Sequence, residues 1–505
     1  MARTTTKTKT KTMSLRKRAT KTDSDNNDSN NDSNNKTKKK KERDVLLLSL
    51  TCLLPTMILI LFKAMMMIKE DGRDDDDDEG KNNVDIGAIK IISLSILTSV
   101  IAYVITVRLV PIVAKRTHKK RMMFGLDINK RGTKMGSVEI PEACGLASGC
   151  ATLVSLVLGR TLHQFIIHHH RYVSNQNNNQ NTWESEHNAA LAAIGFMLFL
   201  GFVDDVLDLP WRAKMVLPGF AATTLAQSYD GSTSIVVPRF LRAKVNSFLS
   251  SDFITECSKF VPKFLSNENA ASSSSLLFPN KVDMKSGLMD VGYIYLLFIW
   301  LLAVFLSNAI NIHAGLNGLE CGQSLVIAGG IILLNVWSLL NDPTSDVVVG
   351  PHVFSLLLIA PFFAATVGLL KQNWYPSAVF VGDSYTYFAG MTLAVAGILG
   401  HFSETLLLFC LPQVLNFLYS IPQLFKFVHC PRHRLPVFDV KTGLLSPSKA
   451  TETRYNMNLV TLFLRVFGKT SERKLCLRLL AFQVSCVGLT FVVRYLFIAF
   501  VHWKF

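Results

Sequence analysis

The stretch VGYIYLLFIWLLAVFLSNAINIHAGLNGLECGQSLVIAGGIILLNVWSLL, residues 291–340, sets the character of the chain. Two apolar runs, near 291–310 and 318–340, each reach the roughly 20 residues that an α-helix needs to cross a bilayer. A short turn rich in amides and glycine joins them. Runs of the same kind recur near 45–68, 86–114, 143–162, 187–203, 213–229, 351–371, 384–400, 403–428 and 476–499, which predicts about 11 spans in all. Composition agrees: of 505 residues 49% are hydrophobic and only 18% charged, against about 25% charged in a soluble domain. The expected fold is an all-α polytopic membrane protein, and a soluble enzyme of ordinary composition is excluded.

The formal net charge of +16 is unevenly placed. Residues 1–44 hold 14 Lys/Arg against 6 Asp/Glu and are rich in Thr, Asn and Ser, so they are expected to form a disordered basic tail. A basic tail ahead of an apolar span reads as a cytosolic flank rather than a nucleic-acid site. The run at 45–68 exceeds the 7 to 15 residues of a signal-peptide core and is expected to be a retained helix. The acidic DGRDDDDDEG (71–80) and the basic KRTHKKR (115–121) then frame a two-pass hairpin with both basic ends in the cytosol. Nine scattered cysteines, with no C-x-x-C pair, support neither a disulfide framework nor a structural zinc site.

Counting spans from a cytosolic N-terminus puts the loops near 115–142, 204–212, 311–317, 372–383 and 429–475 in the cytosol. The loops 163–186 and 230–290 fall on the opposite side, the second reading as an insertion with one amphipathic stretch. Five polar clusters coincide with the cytosolic group. GFVDDVLDLPWRAK places Asp204, Asp205 and Asp208 at a helix end, with Lys214 beyond; Asp204 and Asp208 share a face at i, i+4. Carboxylates this close repel one another and call for a cation. SNAINIHAGLNGLECGQS supplies Asn308, Asn311 and Asn317, oxygen donors suited to Mg²⁺ or to a base or sugar. FVGDSYTYFAG places Asp383 after a glycine, where it also suits a helix cap. CPRHRLP holds Arg432, His433 and Arg434 between two prolines, a set suited to pyrophosphate oxygens. DINKRGTKMGSVEIPEACG carries Asp127, Asn129, Lys130 and Glu142. Together they describe a site that holds two phosphorylated substrates and lowers their repulsion. HHHR (168–171) falls on the other side and reads as a solvated loop.

These motifs resemble the polyprenyl-phosphate N-acetylhexosamine-1-phosphate transferases, over roughly residues 86–500 and in that family's order. Ala314-Gly315 and the PRHRLP loop are similar to its eukaryotic branch. The resemblance implies a ten-span core, from about residue 86, with the helix at 45–68 as an addition. It also implies transfer of GlcNAc-1-phosphate from UDP-GlcNAc to dolichyl phosphate, in the endoplasmic reticulum membrane and with the site facing the cytosol.

Carried over by motif position, Asn311 and Asp383 would hold Mg²⁺, while Lys214, with Asn308, Asn311 and Ile312, would meet the lipid phosphate. Leu126, Asp127, Ile128 and Asn317 would hold the uridine part; Glu142, Arg432, His433 and Arg434 would hold the sugar and diphosphate. Asp204 and Asp205 match the paired aspartates, assigned here to organising Mg²⁺ and Lys214, because a phosphate monoester with a second pKa of about 6 needs no strong base. The implied partners are UDP-GlcNAc, dolichyl phosphate and the bilayer, with a homodimer admitted and nucleic acid excluded. The chain departs from the family's pattern in its N-terminal addition, in a longer DINK-to-IPE segment, and in Pro210, where a basic residue is usual. A nucleotide-sugar transporter would place its polar groups at mid-membrane depth instead, and a tethered scaffold would leave the clusters without a purpose.

Overall fold

The computed structural model describes residues 37–61, 79–119, 123–168, 178–237, 239–249, 282–283, 287–341, 346–431 and 434–502. The expectations for the tail before residue 37, for most of the 230–290 insertion, for residues 169–171, and for Arg432 and His433 lie outside the described residues. By packing, the chain divides into two units, residues 1–51 and 52–505.

Helix α1 spans Thr37–Leu61. Eight residues of the segment expected to be a disordered tail, 37–44, are helical. Lys, Glu and Arg are good helix formers, so KKKKER extends the apolar run at little conformational cost.

Helices of the second unit follow as α2 (Glu79–Lys119), α3 (Gly145–His168), α4 (Asn178–Leu207), α5 (Trp211–Ser228) and α6 (Arg239–Leu249). Then come α7 (Tyr293–Ile312), α8 (Leu319–Asn341), α9 (Asp346–Asn373), α10 (Asp383–Ile398), α11 (Ser403–Phe409), α12 (Leu411–Leu424), α13 (Leu459–Phe467) and α14 (Glu472–His502). Among the described residues, strands form three small antiparallel pairs: β1 (Phe124–Leu126) with β2 (Glu139–Pro141), β3 (Ser234–Val236) with β4 (Leu288–Asp290), and β5 (Val437–Asp439) with β6 (Leu444–Ser446). The chain is thus an all-α polytopic membrane protein.

Each run read from the sequence meets a helix, but not every helix is a plain span. Among the described residues eight helices are long and apolar enough to cross a membrane, or nine if the bent pair α11–α12 counts as one. That pair turns by 71° at the break, where Pro412 opens the second helix, so the single span expected over 403–428 is a broken one. Helix α10 has 16 residues, and every one from Ser384 to Ile398 is buried, so it runs through protein rather than lipid. It packs on α3, α4, α7, α9 and α8. Close packing in a bilayer relies on small residues. A Cβ on Gly390 would stand 2.1 Å from the carbonyl oxygen of Leu306 on α7, so only glycine lets the two backbones approach.

Candidate active site

Chain direction brings the polar motifs together. The C-terminal ends of α4, α7 and α9 and the N-terminal ends of α3, α5, α8 and α10 meet at one end of the bundle, as the hydrogen bonds between them show. Cys144 and Gly145 donate their backbone N–H groups to Phe380 and Val381. Gly318 donates to Asn373 Oδ1 at 3.1 Å, and Gly315 to Glu320 Oε1 at 2.9 Å.

At the centre stands Lys214, in the first turn of α5. Its ammonium lies 2.9 Å from Asp204 Oδ1, 3.7 Å from Asp383 Oδ2 and 4.0 Å from Asp208 Oδ1. Asp204 is buried and held on both oxygens. Tyr387 donates its hydroxyl to Oδ2 at 2.8 Å, and Leu209 donates its N–H to Oδ1 at 2.9 Å. Asp208 lies one residue past α4, in the left-handed region at φ 49°, and its N–H closes the helix on the Asp204 carbonyl at 2.9 Å. Pro210 takes the N-cap position of α5, extended at φ −64°, so this departure from the family pattern stands where the next helix opens.

Asp205 points elsewhere, as its position on the helix predicts, and does something the sequence did not disclose. Its two oxygens accept the backbone N–H groups of Asp383 at 2.6 Å and Ser384 at 3.0 Å. It therefore caps α10 from across the bundle, in place of Gly382, which has no side chain to do so. Gly382 sits at φ 73°, and a Cβ there would meet Asp205 Oδ2 at 2.4 Å. The oxygens of Asp205 hold the backbone N–H groups of Asp383 and Ser384, so Asp205 acts on the placement of Asp383.

Asn311 donates its amide N–H to Asp383 Oδ1 at 2.7 Å. Since a carboxylate only accepts, this orients the Asn311 carbonyl oxygen away from Asp383 and leaves it available as an oxygen ligand. Asn311 and Asp383 line a cavity of about 220 Å³ together with Leu126, Asp127, Ile128, Glu142 and Asn317. Glu142 approaches Gly125, and its carboxyl is raised above the ordinary glutamate range by burial and by the Asp205 carboxylate. Asn308 instead turns its amide onto the Val304 carbonyl of its own helix at 2.9 Å. Neither Asn308 nor Ile312 lines this cavity. Arg434 is half-buried with its Nη1 3.5 Å from the Met457 carbonyl, and its neighbour Leu435 reaches the cavity wall.

Residues the sequence reading did not single out complete the walls. Asn373, Phe380 and Thr386 line the same cavity, beside Glu320 of the amide-rich segment. Glu472, the first residue of α14, is buried with an oxygen 2.9 Å from the Asn317 backbone nitrogen. Tyr375 places its ring 4.7 Å below the Lys130 ammonium. A family assignment follows from comparison of the whole chain. The sequence model described as Glycosyl transferase family 4 matches residues 188–401, the stretch from α4 to the end of α10. The UDP-N-acetylglucosamine--dolichyl-phosphate N-acetylglucosaminephosphotransferase of Dictyostelium discoideum is 40% identical over 406 residues, covering 78% of this chain and 86% of the relative. The chain belongs to this family. Relatives of the same name in Leishmania amazonensis and Saccharomyces cerevisiae are 35% and 33% identical, over 82% and 77% of this chain and 95% and 87% of theirs.

Proposed function

We propose that the chain transfers GlcNAc-1-phosphate from UDP-GlcNAc to dolichyl phosphate, forming GlcNAc-diphosphodolichol and UMP, the first step in building the dolichol-linked N-glycan precursor. The observation that carries this reading is the ammonium of Lys214 set between Asp204 and Asp383, the second of which lines the cavity. A phosphate oxygen of the lipid attacks the β-phosphorus of UDP-GlcNAc. The bond from that phosphorus to the bridging oxygen breaks, and UMP leaves with the electron pair. The nucleophile is already largely dianionic at neutral pH, so what the site must supply is alignment and relief of repulsion between anions. Lys214 meets the incoming phosphate, Asp204 and Tyr387 fix its ammonium, and Asp205 fixes Asp383.

Asn311 and Asp383 are the residues that would hold Mg²⁺. The donor set fits: one amide oxygen freed by its own N–H bond, and one carboxylate oxygen not used by that bond. Mg²⁺ commonly takes one or two protein oxygens and completes its shell with substrate phosphates and water. When bound, the ion neutralises charge on the diphosphate. Leu126, Asp127, Ile128 and Asn317 take the uridine part; Glu142 and the 432–434 loop take the sugar and diphosphate.

The basic last turn of α2, with Arg116, His118 and Lys119, leads within a few residues into β1 at the cavity. Basic flanks mark the cytosolic side, which supports a cytosol-facing site in the endoplasmic reticulum membrane. The test uses UDP-GlcNAc labelled in its β-phosphate, dolichyl phosphate and the purified chain. Label entering the lipid with release of UMP is expected, and chelation should abolish it. Release of UDP with an unlabelled lipid phosphate would overturn the reading.

A further inference from the structure

Four buried side chains cluster at the part of the cavity wall that Asp127 and Asn317 form: Asp127 at 3% exposure, Lys130 at 5%, Asn317 at 5% and Glu472 at 4%. They come from the loop after β1, the turn before α8 and the first residue of α14. Asn317 is gripped twice. Its side-chain amide donates to Asp127 Oδ2 at 2.9 Å, and its backbone N–H donates to Glu472 Oε1 at 2.9 Å. Asn129 braces the same corner, donating to Glu472 Oε1 at 3.3 Å and to the Gly315 carbonyl at 2.8 Å. Lys130 bonds Asp127 and lies 3.9 Å from Glu472 Oε2, so one ammonium offsets part of the charge of the two carboxylates.

A carboxylate can only accept, so the Asn317 amide cannot turn over without losing its bond to Asp127. Its carbonyl oxygen is thereby directed away from Asp127, on a residue that lines the cavity. We propose that Glu472, acting with Asp127, is a positioning residue that fixes Asn317 as a hydrogen-bond acceptor and so makes the nucleotide pocket selective for uracil over cytosine. This rests on the reading of the pocket as the uridine site. Uracil carries an N–H at ring position 3, which an acceptor satisfies. Cytosine carries a lone pair there, and two acceptors facing each other in a water-poor site leave both unpaired.

The test measures binding of UMP and of CMP to the purified full-length chain with Mg²⁺, alongside KM and kcat for UDP-GlcNAc. The wild-type chain is expected to favour UMP over CMP by about tenfold or more. Glu472→Ala frees the Asn317 backbone; the ratio should fall toward one, and KM should rise by a larger factor than kcat falls. Glu472→Gln keeps an acceptor oxygen toward Asn317 and should retain most of the ratio, a rescue that a purely structural role would not predict. The double variant Asp127→Ala/Lys130→Met removes the other grip together with the cation it neutralises, and should lower the ratio even if Glu472→Ala does not fold. Wild-type protein without base preference, or Glu472→Ala with an unchanged ratio, would overturn the proposal. Wild-type protein that binds neither nucleotide would instead sink the uridine reading itself.

Discussion

Replacing Asp205 separates placement of Asp383 from chemistry at Asp383. In the structure the Asp205 carboxylate takes the first two N–H groups of α10, at 2.6 and 3.0 Å, and nothing in Gly382 can substitute for it. Loss of a helix cap costs about 0.5–2 kcal/mol, and a buried donor left unpaired costs about 1–3 kcal/mol. Asp205→Ala should therefore cost about 2–4 kcal/mol of stability, whereas Asp205→Asn, which keeps one acceptor oxygen, should cost about half that. Asp383 N–H is one of the two released donors, so the Asp383 carboxylate shifts as well. The assay pairs unfolding of the purified protein in detergent with Mg²⁺-titrated UMP release. Both variants are expected to unfold earlier, Ala before Asn, and to need more Mg²⁺ for half-maximal rate. An Asp205→Ala protein with wild-type unfolding and wild-type Mg²⁺ demand would refute the capping argument.

Lys214→Ala removes the only ammonium within reach of Asp204 and Asp383 among the described residues; turnover should fall by about 10²-fold or more, measured as UMP release, with a raised KM for dolichyl phosphate. Glu142 gives a pH dependence. Its carboxyl is raised in the folded protein, by burial first and then by Asp205, so the ionised form is disfavoured there relative to the unfolded chain. The folded state is thus penalised above that raised value, and the penalty vanishes as pH falls through it toward the ordinary glutamate range. Glu142→Gln should raise the unfolding temperature of the metal-free protein at pH 8, with the advantage shrinking toward pH 4.

The parts of the site that could be read from the sequence are those whose partners are local or whose chemistry is unusual for their depth. Asp204, Lys214 and Asp383 are ionisable groups at the ends of apolar runs, and that expense marks them. Glu472 gave no such signal. It opens a run in a basic stretch, and its partners Asn317 and Asn129 lie 155 and 343 residues away along the chain. Asp205 was visible as an acid but not as a cap, since the helix it caps begins 178 residues later. Span counting worked for existence and failed for form. Apolar content alone cannot tell α10, wrapped by protein, from a lipid-facing helix, whereas Pro412 within 403–428 was a visible reason to expect the break in α11–α12.

The central claim is that this end of the bundle works by alignment and charge neutralisation, with no side chain needed to deprotonate the lipid phosphate. The pH–rate profile of Asp204→Asn, measured as UMP release across the second ionisation of a phosphate monoester and at several Mg²⁺ concentrations, tests it most directly. The account predicts a large loss at every pH and a weakened response to Mg²⁺, because Lys214 loses its 2.9 Å partner. A loss confined to low pH, with turnover recovering once the lipid phosphate is dianionic, would contradict it and assign Asp204 the part of a general base.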